Sequence, residues 1–545
     1  MASGTRTFGL DETFLEPQVL APPPTRHALL VFLLALASIL HFGSAGWSHI
    51  HNGPEGYYAG GAREMLHART WHPREREPPL VHWLIAISYR AFGVSAAAAR
   101  MPIAGAMVAS IALTFLIGER LAGYWRGFAA GLLHLCCVGP FIWGRIVTPE
   151  PIFAALIAAS IFCAVCGYQR AQTRRLWFAG VWICVALACL VKGAVGLLYP
   201  AAVFLVLALL YREARLRFRR LLHWHYLLLF LALVLPLYAW SPWPWFAMPS
   251  GSSSSGAGLG RFLLAHTIAW FPALLLVLPG LLFATRRILR PHEFDFAAAL
   301  PLCWLAVGFL PLFIFPERRE YGSISMWSAF ALWSASVWDR TPRVLRLAGI
   351  GLVTIAGIGI TASPALGLDR IPASAESGLG SMAVFVGSAT VLACLAAAYF
   401  VWTHRQKLAL AILMLGIVPI GLAAAEVIAR RDPYFSLAGA ADFLQSRLGQ
   451  EGEVLYEGSA NAGSSLRFYL DRRPVFVSDH AQVPSAANSY IDSAAAIEKM
   501  TAAHPVYLII QKDRVPFWQE RLTRRFHIYH QVTTCGSHVV LNNSP

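Results

Sequence analysis

From Ala28 to Ala425 the chain keeps returning to long apolar runs. Each is about 17 to 25 residues, enough for a helix to cross roughly 30 Å of hydrocarbon. The composition agrees: 57% of the 545 residues are hydrophobic and 13% are charged, against about a quarter charged in soluble domains. The sequence therefore predicts a mainly α, polytopic membrane protein with about thirteen crossings between residues 27 and 428. Among them are 127–147, 264–285 and 320–338.

A net charge of +15 would suit nucleic acid, but in such a chain the position of the cations matters first. Arginine and lysine gather in alternate connections: Arg120 and Arg126, Arg170 to Arg175, Arg212 to Arg220, Arg286 to Arg290, Arg340 to Arg346, Arg405 and Lys407. The positive-inside bias puts these loops in the cytoplasm. It predicts a cytoplasmic tail over 1–26, a membrane domain over 27–429 with an outward loop over 48–97, and an extracytoplasmic domain over 430–545. Eight of the nine cysteines fall in apolar runs and read as small buried hydrophobes rather than a disulfide framework.

The outward stretch Gly53–Leu80 is polar and glycine-rich where a bare connector could be shorter. Glu55, Tyr57, Tyr58, Arg63 and Glu64 lie within ten residues of one another, and they supply a candidate base, rings and a cation to hold a substrate. Between Pro79 and Phe92 the pattern Val81, Trp83, Leu84, Ile87 predicts a helix lying along the membrane. Three further connections carry charge. Glu150 opens a helix in Thr148-Pro149-Glu150, as a cap or as chemistry. Lys192 stands alone between apolar runs, as an anchor or as a phosphate ligand. Pro316 to Tyr321 is a charged knot, and boundary charges count as functional candidates.

After Arg430 the pattern shortens. Val454–Tyr456, Leu466–Leu470, Val475–Val477 and Val506–Ile510 read as strands, Ala438–Leu448 and Asp492–Ala503 as helices. Together they predict a small α/β domain, with no glycine-rich phosphate loop or nucleophile elbow.

The order of these pieces resembles the GT-C membrane glycosyltransferases, in the branch of bacterial aminoarabinose transferases and protein O-mannosyltransferase-like enzymes. The likeness runs along nearly the whole chain. Its most specific part is Tyr58-Ala-x-x-Ala-Arg63-Glu64-Met65, followed by the Pro-Pro-Leu80 step, Trp83, Thr148-Pro149-Glu150, Lys192-Gly193 and Arg318-Arg319-x-Tyr321.

What the resemblance implies is a bacterial inner-membrane enzyme that moves a sugar from a polyprenyl-phosphate donor to a lipid, glycan or protein hydroxyl on the outer face, with inversion. A carboxylate would take the acceptor proton and cations would stabilise the departing phosphate. Relatives have Asp-Glu where this chain has Pro54-Glu55, and commonly a Lys where it has Glu77. The base work then falls to Glu55, with Glu150 assisting or the two holding a divalent metal. Lys192, Arg261, Arg318, Arg319 and Tyr321 would bind the lipid phosphate. No other cofactor and no nucleic acid is implied. A non-catalytic relative, a transporter and a membrane scaffold are the competing readings. A transporter would carry inverted repeats and mid-membrane polar breaks, and no half-to-half similarity is visible.

Overall fold

The computed structural model describes residues 23–73, 77–169, 173–211, 214–215, 218–240, 243, 259–288, 296–314, 320–366, 379–449, 451–479, 489–525 and 529–543. Arg318 and Arg319 lie outside these residues, as does most of the N-terminal tail.

Among the described residues up to 210 the helices are α1 (Pro23–Gly43), α2 (Pro54–His67), α3 (Leu80–Phe92), α4 (Ala96–Ala122), α5 (Tyr124–Cys136), α6 (Val138–Trp143), α7 (Glu150–Gln169), α8 (Arg174–Lys192) and α9 (Val195–Leu210). Helix α4 is the hub. It packs on α1, α5 and α7, while α7 packs in turn on α8. Further on, the helices Arg343–Ala362, Leu379–Trp402 and Gln406–Arg430 stack side by side.

Among the described residues seven helices are long and apolar enough to cross a membrane, and a sharply bent pair could add an eighth. Other apolar runs among the described residues are broken or shorter. The run expected over 127–147 ends as α5 at Cys136 and restarts as α6. Pro140 explains the break, since a proline ring clashes with the carbonyl four residues back. The run expected over 264–285 turns by 87° between Ala269 and Ala273, around Pro272. The run expected over 320–338 opens with a 3₁₀ turn, Glu320–Met326, before the helix Trp327–Arg340 begins. Several other apolar helices, such as α9 and Trp224–Trp240, are shorter than eighteen residues.

Helix α3 is the stretch expected to lie along the membrane. It buries Val81, Ile85 and Tyr89 and exposes Ile87 and Phe92, sitting between α2 and α4.

Among the described residues the C-terminal domain holds a six-stranded sheet in the order β3-β2-β1-β4-β6-β5. Its strands are β1 (Glu453–Glu457), β2 (Val475–Val477), β3 (Tyr490–Ile491), β4 (Val506–Gln511), β5 (His530–Cys535) and β6 (His538–Asn542). The first four pair in parallel and β6 runs antiparallel to its neighbours. Alternation of side chains splits the sheet into two cores. Val454, Tyr456, Tyr507 and Ile509 pack under the helix Ala438–Gln445. Leu455, Val506, Leu508 and Ile510 pack under Trp518 and Leu522 on the other face.

Leu466–Leu470, expected as a strand, is a helix (Ser465–Tyr469). It packs mainly on α2, while Leu466 and Leu470 also join the core under the sheet. A Cβ on Gly56 would come within 2.4 Å of the Ser465 nitrogen, and one on Gly60 within 2.8 Å of the Arg467 Cβ. The glycines of the polar loop let two helices approach backbone to backbone. The membrane domain and the sheet domain therefore meet on one face.

Candidate active site

The site grows from the loop between α1 and α2. Arg100 lies on α4 one turn beyond its Ser95 cap, and only 3% of its surface is exposed. All five guanidinium N–H groups are used. Nε donates to Glu55 Oε1 at 3.0 Å and one terminal nitrogen to Glu55 Oε2 at 2.8 Å. The others reach the carbonyls of Ala45, Ser48 and His49.

Glu55 is equally engaged. Besides Arg100 it accepts from the backbone N–H of His51 and of Val147, each at 3.0 Å. Burial alone would raise its pKa. The facing Arg100 charge and these hydrogen bonds outweigh it and hold the carboxyl below the usual range. Glu55, expected as the base, is buried and bonded to Arg100 and to the Val147 backbone, which ties α2 to α4 and to the turn leading into α7.

Through Val147 that turn carries Glu150, three residues on, at the first position of α7. Glu150 is buried and ion-paired with Lys192 Nζ at the end of α8. Lys192 also stands 4.9 Å from the Phe153 ring centre. Two connections that looked separate in the sequence thus share one contact. The Glu320–Met326 turn packs on α7 and on the Leu259–Ala269 helix, with Ile324 against Ala154, one turn along α7 from Glu150. Arg261 stands exposed on that helix. Tyr321 belongs to the turn.

Tyr58 donates to Glu77 at 3.2 Å and packs on His82. Tyr57 stacks edge-on against Tyr58 and lies under Arg467, 5.9 Å from its ring centre. Arg63 and Glu64 point the other way, into the C-terminal domain. Arg63 donates to the carbonyls of Phe468 and Leu470 at 2.7 Å each and pairs with Asp471. Glu64 pairs with Arg467 and Arg473.

Two histidines complete the loop. Asp432, just past the last membrane helix, accepts from the His49 backbone at 2.7 Å, and its two oxygens meet His49 Nδ1 at 2.9 Å and His51 Nε2 at 2.7 Å. Arg100, His49, His51 and Asp432 were not singled out from the sequence. Only Arg100 left a signal there, as a charge set inside an apolar run. Among the described residues no three His, Cys, Asp or Glu side chains gather as a metal group. With both Glu55 oxygens occupied and Glu150 held by Lys192, the pair does not fit a divalent cation.

Superposed on solved structures, the chain matches ArnT from Cupriavidus metallidurans at a TM-score of 0.79, covering 95% of this chain and 98% of that one at 19% identity. The fold is GT-C. The ArnT structures matched include an apo state and one bound to undecaprenyl phosphate, with the same score and coverage. Residues 76–240 match the family model described as dolichyl-phosphate-mannose-protein mannosyltransferase, which adds a sequence likeness over the GT-C helices α3 to α9. An uncharacterized protein of Aquifex aeolicus (strain VF5) is 29% identical over 182 residues, 32% of this chain. That match spans about a third (36%) of the relative's own length.

Proposed function

We propose that the protein is an inverting glycosyltransferase that takes a sugar from a polyprenyl-phosphate donor within the membrane and passes it to a hydroxyl on the face bearing the C-terminal domain. The hydroxyl belongs to a lipid, glycan or protein. By the alternation of basic loops, that face is outside the inner membrane of a bacterium and the N-terminus is inside. The bound undecaprenyl phosphate in the matched ArnT structure supports the donor class.

The Glu150–Lys192 pair, with Glu150 buried and Lys192 partly exposed, carries the reading. It sets a carboxylate and an ammonium together, the two groups that the transfer needs. The acceptor oxygen attacks the anomeric carbon while the bond to the phosphate oxygen breaks. The electron pair leaves with the polyprenyl phosphate, and the acceptor proton passes to Glu150. Lys192 stabilises charge on the leaving phosphate, aided by Arg261 and the segment Arg318 to Tyr321. Attack from the side opposite the phosphate inverts the anomeric centre. Glu55 serves as the frame, because a carboxylate already holding four donors has little capacity for an acceptor proton. Tyr57 and Tyr58 line the approach.

The test compares Glu150→Gln and Glu55→Gln with wild type, measuring sugar transfer from a polyprenyl-phosphate donor and thermal unfolding together. Glu150→Gln should lower the rate by about 10² to 10⁴ while still folding. Glu55→Gln should act first on unfolding. Full activity in Glu150→Gln would overturn the assignment. A wild type inactive with every donor would favour a non-catalytic relative.

A further inference from the structure

An apolar groove of about 400 Å³ lies between α8 and α9. It opens beside Arg215 and Arg219, in the basic stretch that follows α9 and is expected to face the cytoplasm. Val181 and Trp182 line one wall, and Pro200, Ala201 and Phe204 the other. Along α9 the lining runs from Leu197 to Ala208, about 16 Å at 1.5 Å per residue. That is about half of a hydrocarbon core of roughly 30 Å, the depth of one leaflet. The two helices meet backbone to backbone at Gly196, where an added Cβ would stand 2.3 Å from the Cys189 nitrogen. This contact closes the far end.

The mouth is held in shape. Trp182 Nε1 donates to the Leu221 carbonyl at 2.9 Å, which fixes the turn Arg219–Leu222 on α8. Arg215 Nε donates to the Ala208 carbonyl at 3.1 Å, which keeps this side chain at the end of α9. Both arginines are exposed, and none of the residues lining the groove is acidic. Between Tyr211 and Leu222 the sequence places five arginines and one glutamate, so the stretch stays positive whichever arginine the glutamate meets. Arginines that only mark the cytoplasmic side need no groove beside them. An apolar slot one leaflet deep, with cations at its mouth, matches an acyl chain joined to an anionic headgroup.

We propose that this groove holds one acyl chain of an anionic phospholipid whose phosphodiester meets Arg215 and Arg219, and that the lipid braces α8 against α9. The inference needs the membrane placement of these helices and not the transfer reading.

Full-length protein in detergent is unfolded by heat while phosphatidylglycerol or phosphatidylcholine of the same chains is titrated in. Phosphatidylglycerol should raise the unfolding temperature to a plateau at lower concentration than phosphatidylcholine, since a ligand of the folded state stabilises it. Arg215→Gln combined with Arg219→Gln should raise the half-saturating concentration of phosphatidylglycerol roughly tenfold and bring the two lipids level. Ala201 is exposed on the groove wall, so Ala201→Trp should fold, fill the slot and abolish the plateau while both arginines remain. Equal responses to the two lipids in wild type, an undiminished preference in the double variant, or an unchanged plateau in Ala201→Trp would overturn the proposal. So would a plateau reached first with a polyprenyl phosphate, which would make the groove a place for the lipid carrier.

Discussion

His51 Nε2 lies 2.7 Å from Asp432 Oδ1, joining residues 381 apart in the chain. On its other side His51 Nδ1 is 3.7 Å from Glu55 Oε2. The imidazole therefore bridges buried Glu55 and Asp432, two residues past the end of the last span. With His49 on the second oxygen, Asp432 clasps the loop to the C-terminal domain.

This clasp makes domain docking depend on pH. The hydrogen bond that His49 donates to Asp432 raises the His49 pKa above 6.5 despite partial burial. Burial works against the charged form of Asp432, but its hydrogen bonds to the two histidines prevail and bring the pKa down to about 2. The His49 contribution is complete below pH 6.5 and is lost as pH rises through the raised value. The Asp432 contribution is present above its ordinary 3.8 and is lost as pH falls towards 2. Docking should be tightest between about pH 4 and 6.5. Limited proteolysis between the domains at pH 6 and pH 8.5 checks this. Asp432→Asn should erase the difference, and an unchanged pH response in that variant would rule out the clasp.

Glu55 and Arg100 should behave as one unit. Removing either partner leaves a buried charge alone, at a cost of about 3 to 5 kcal/mol. Glu55→Leu or Arg100→Met should therefore lower the yield of folded protein. The double variant should recover most of the stability, though the carbonyls of Ala45, Ser48 and His49 lose their donor. Additive losses in a double-mutant cycle would show that the two do not depend on each other.

The glycine face of α2 should be intolerant of bulk. Gly56→Val drives side-chain atoms into the Ser464–Ser465 backbone, and overpacking typically costs about 1 to 3 kcal/mol. Gly105→Ala is the control, since the nearest atom to its added carbon is 3.8 Å away. Proteolytic release of the C-terminal domain should rise in the first variant alone. Equal release in both would mean that the close approach is unimportant.

Orientation is testable at Cys535. It is partly exposed in the sheet domain, while the other eight cysteines lie in the membrane domain. A membrane-impermeant maleimide should label Cys535 in intact cells with a permeable outer membrane, and Cys535→Ser should abolish the signal. A reporter fused after Pro545 that works only in the cytoplasm would reverse the assigned sidedness.

Hydrophobic length is a local property, so the membrane class was legible from residues such as those of α4 and α7 alone. The breaks at Pro140 and Pro272 were visible as prolines, yet averaging over a twenty-residue run hides them. Leu466–Leu470 misled because alternating bulky residues look alike in a strand and in a short helix pinned between domains. The charged loop around Glu55 was legible in the sequence but its buried partner was not, since nothing near it in sequence announces Arg100. The contact between Glu150 and Lys192 bridges 42 positions, and the histidine contacts with Asp432 bridge more than 380. No local pattern reports such partners.

The span between His51 and Asp432 also sets an order on assembly. Arg100 leaves the ribosome 45 residues after Glu55, so the anchor can close within seconds. Asp432 follows His51 by 381 residues, about 20 to 75 s at common rates of synthesis. Through that interval the bare glycine face of α2 waits at the membrane surface without its cover. A chain that stops short of Asp432 would hold its inner frame while leaving that face open to any other helix.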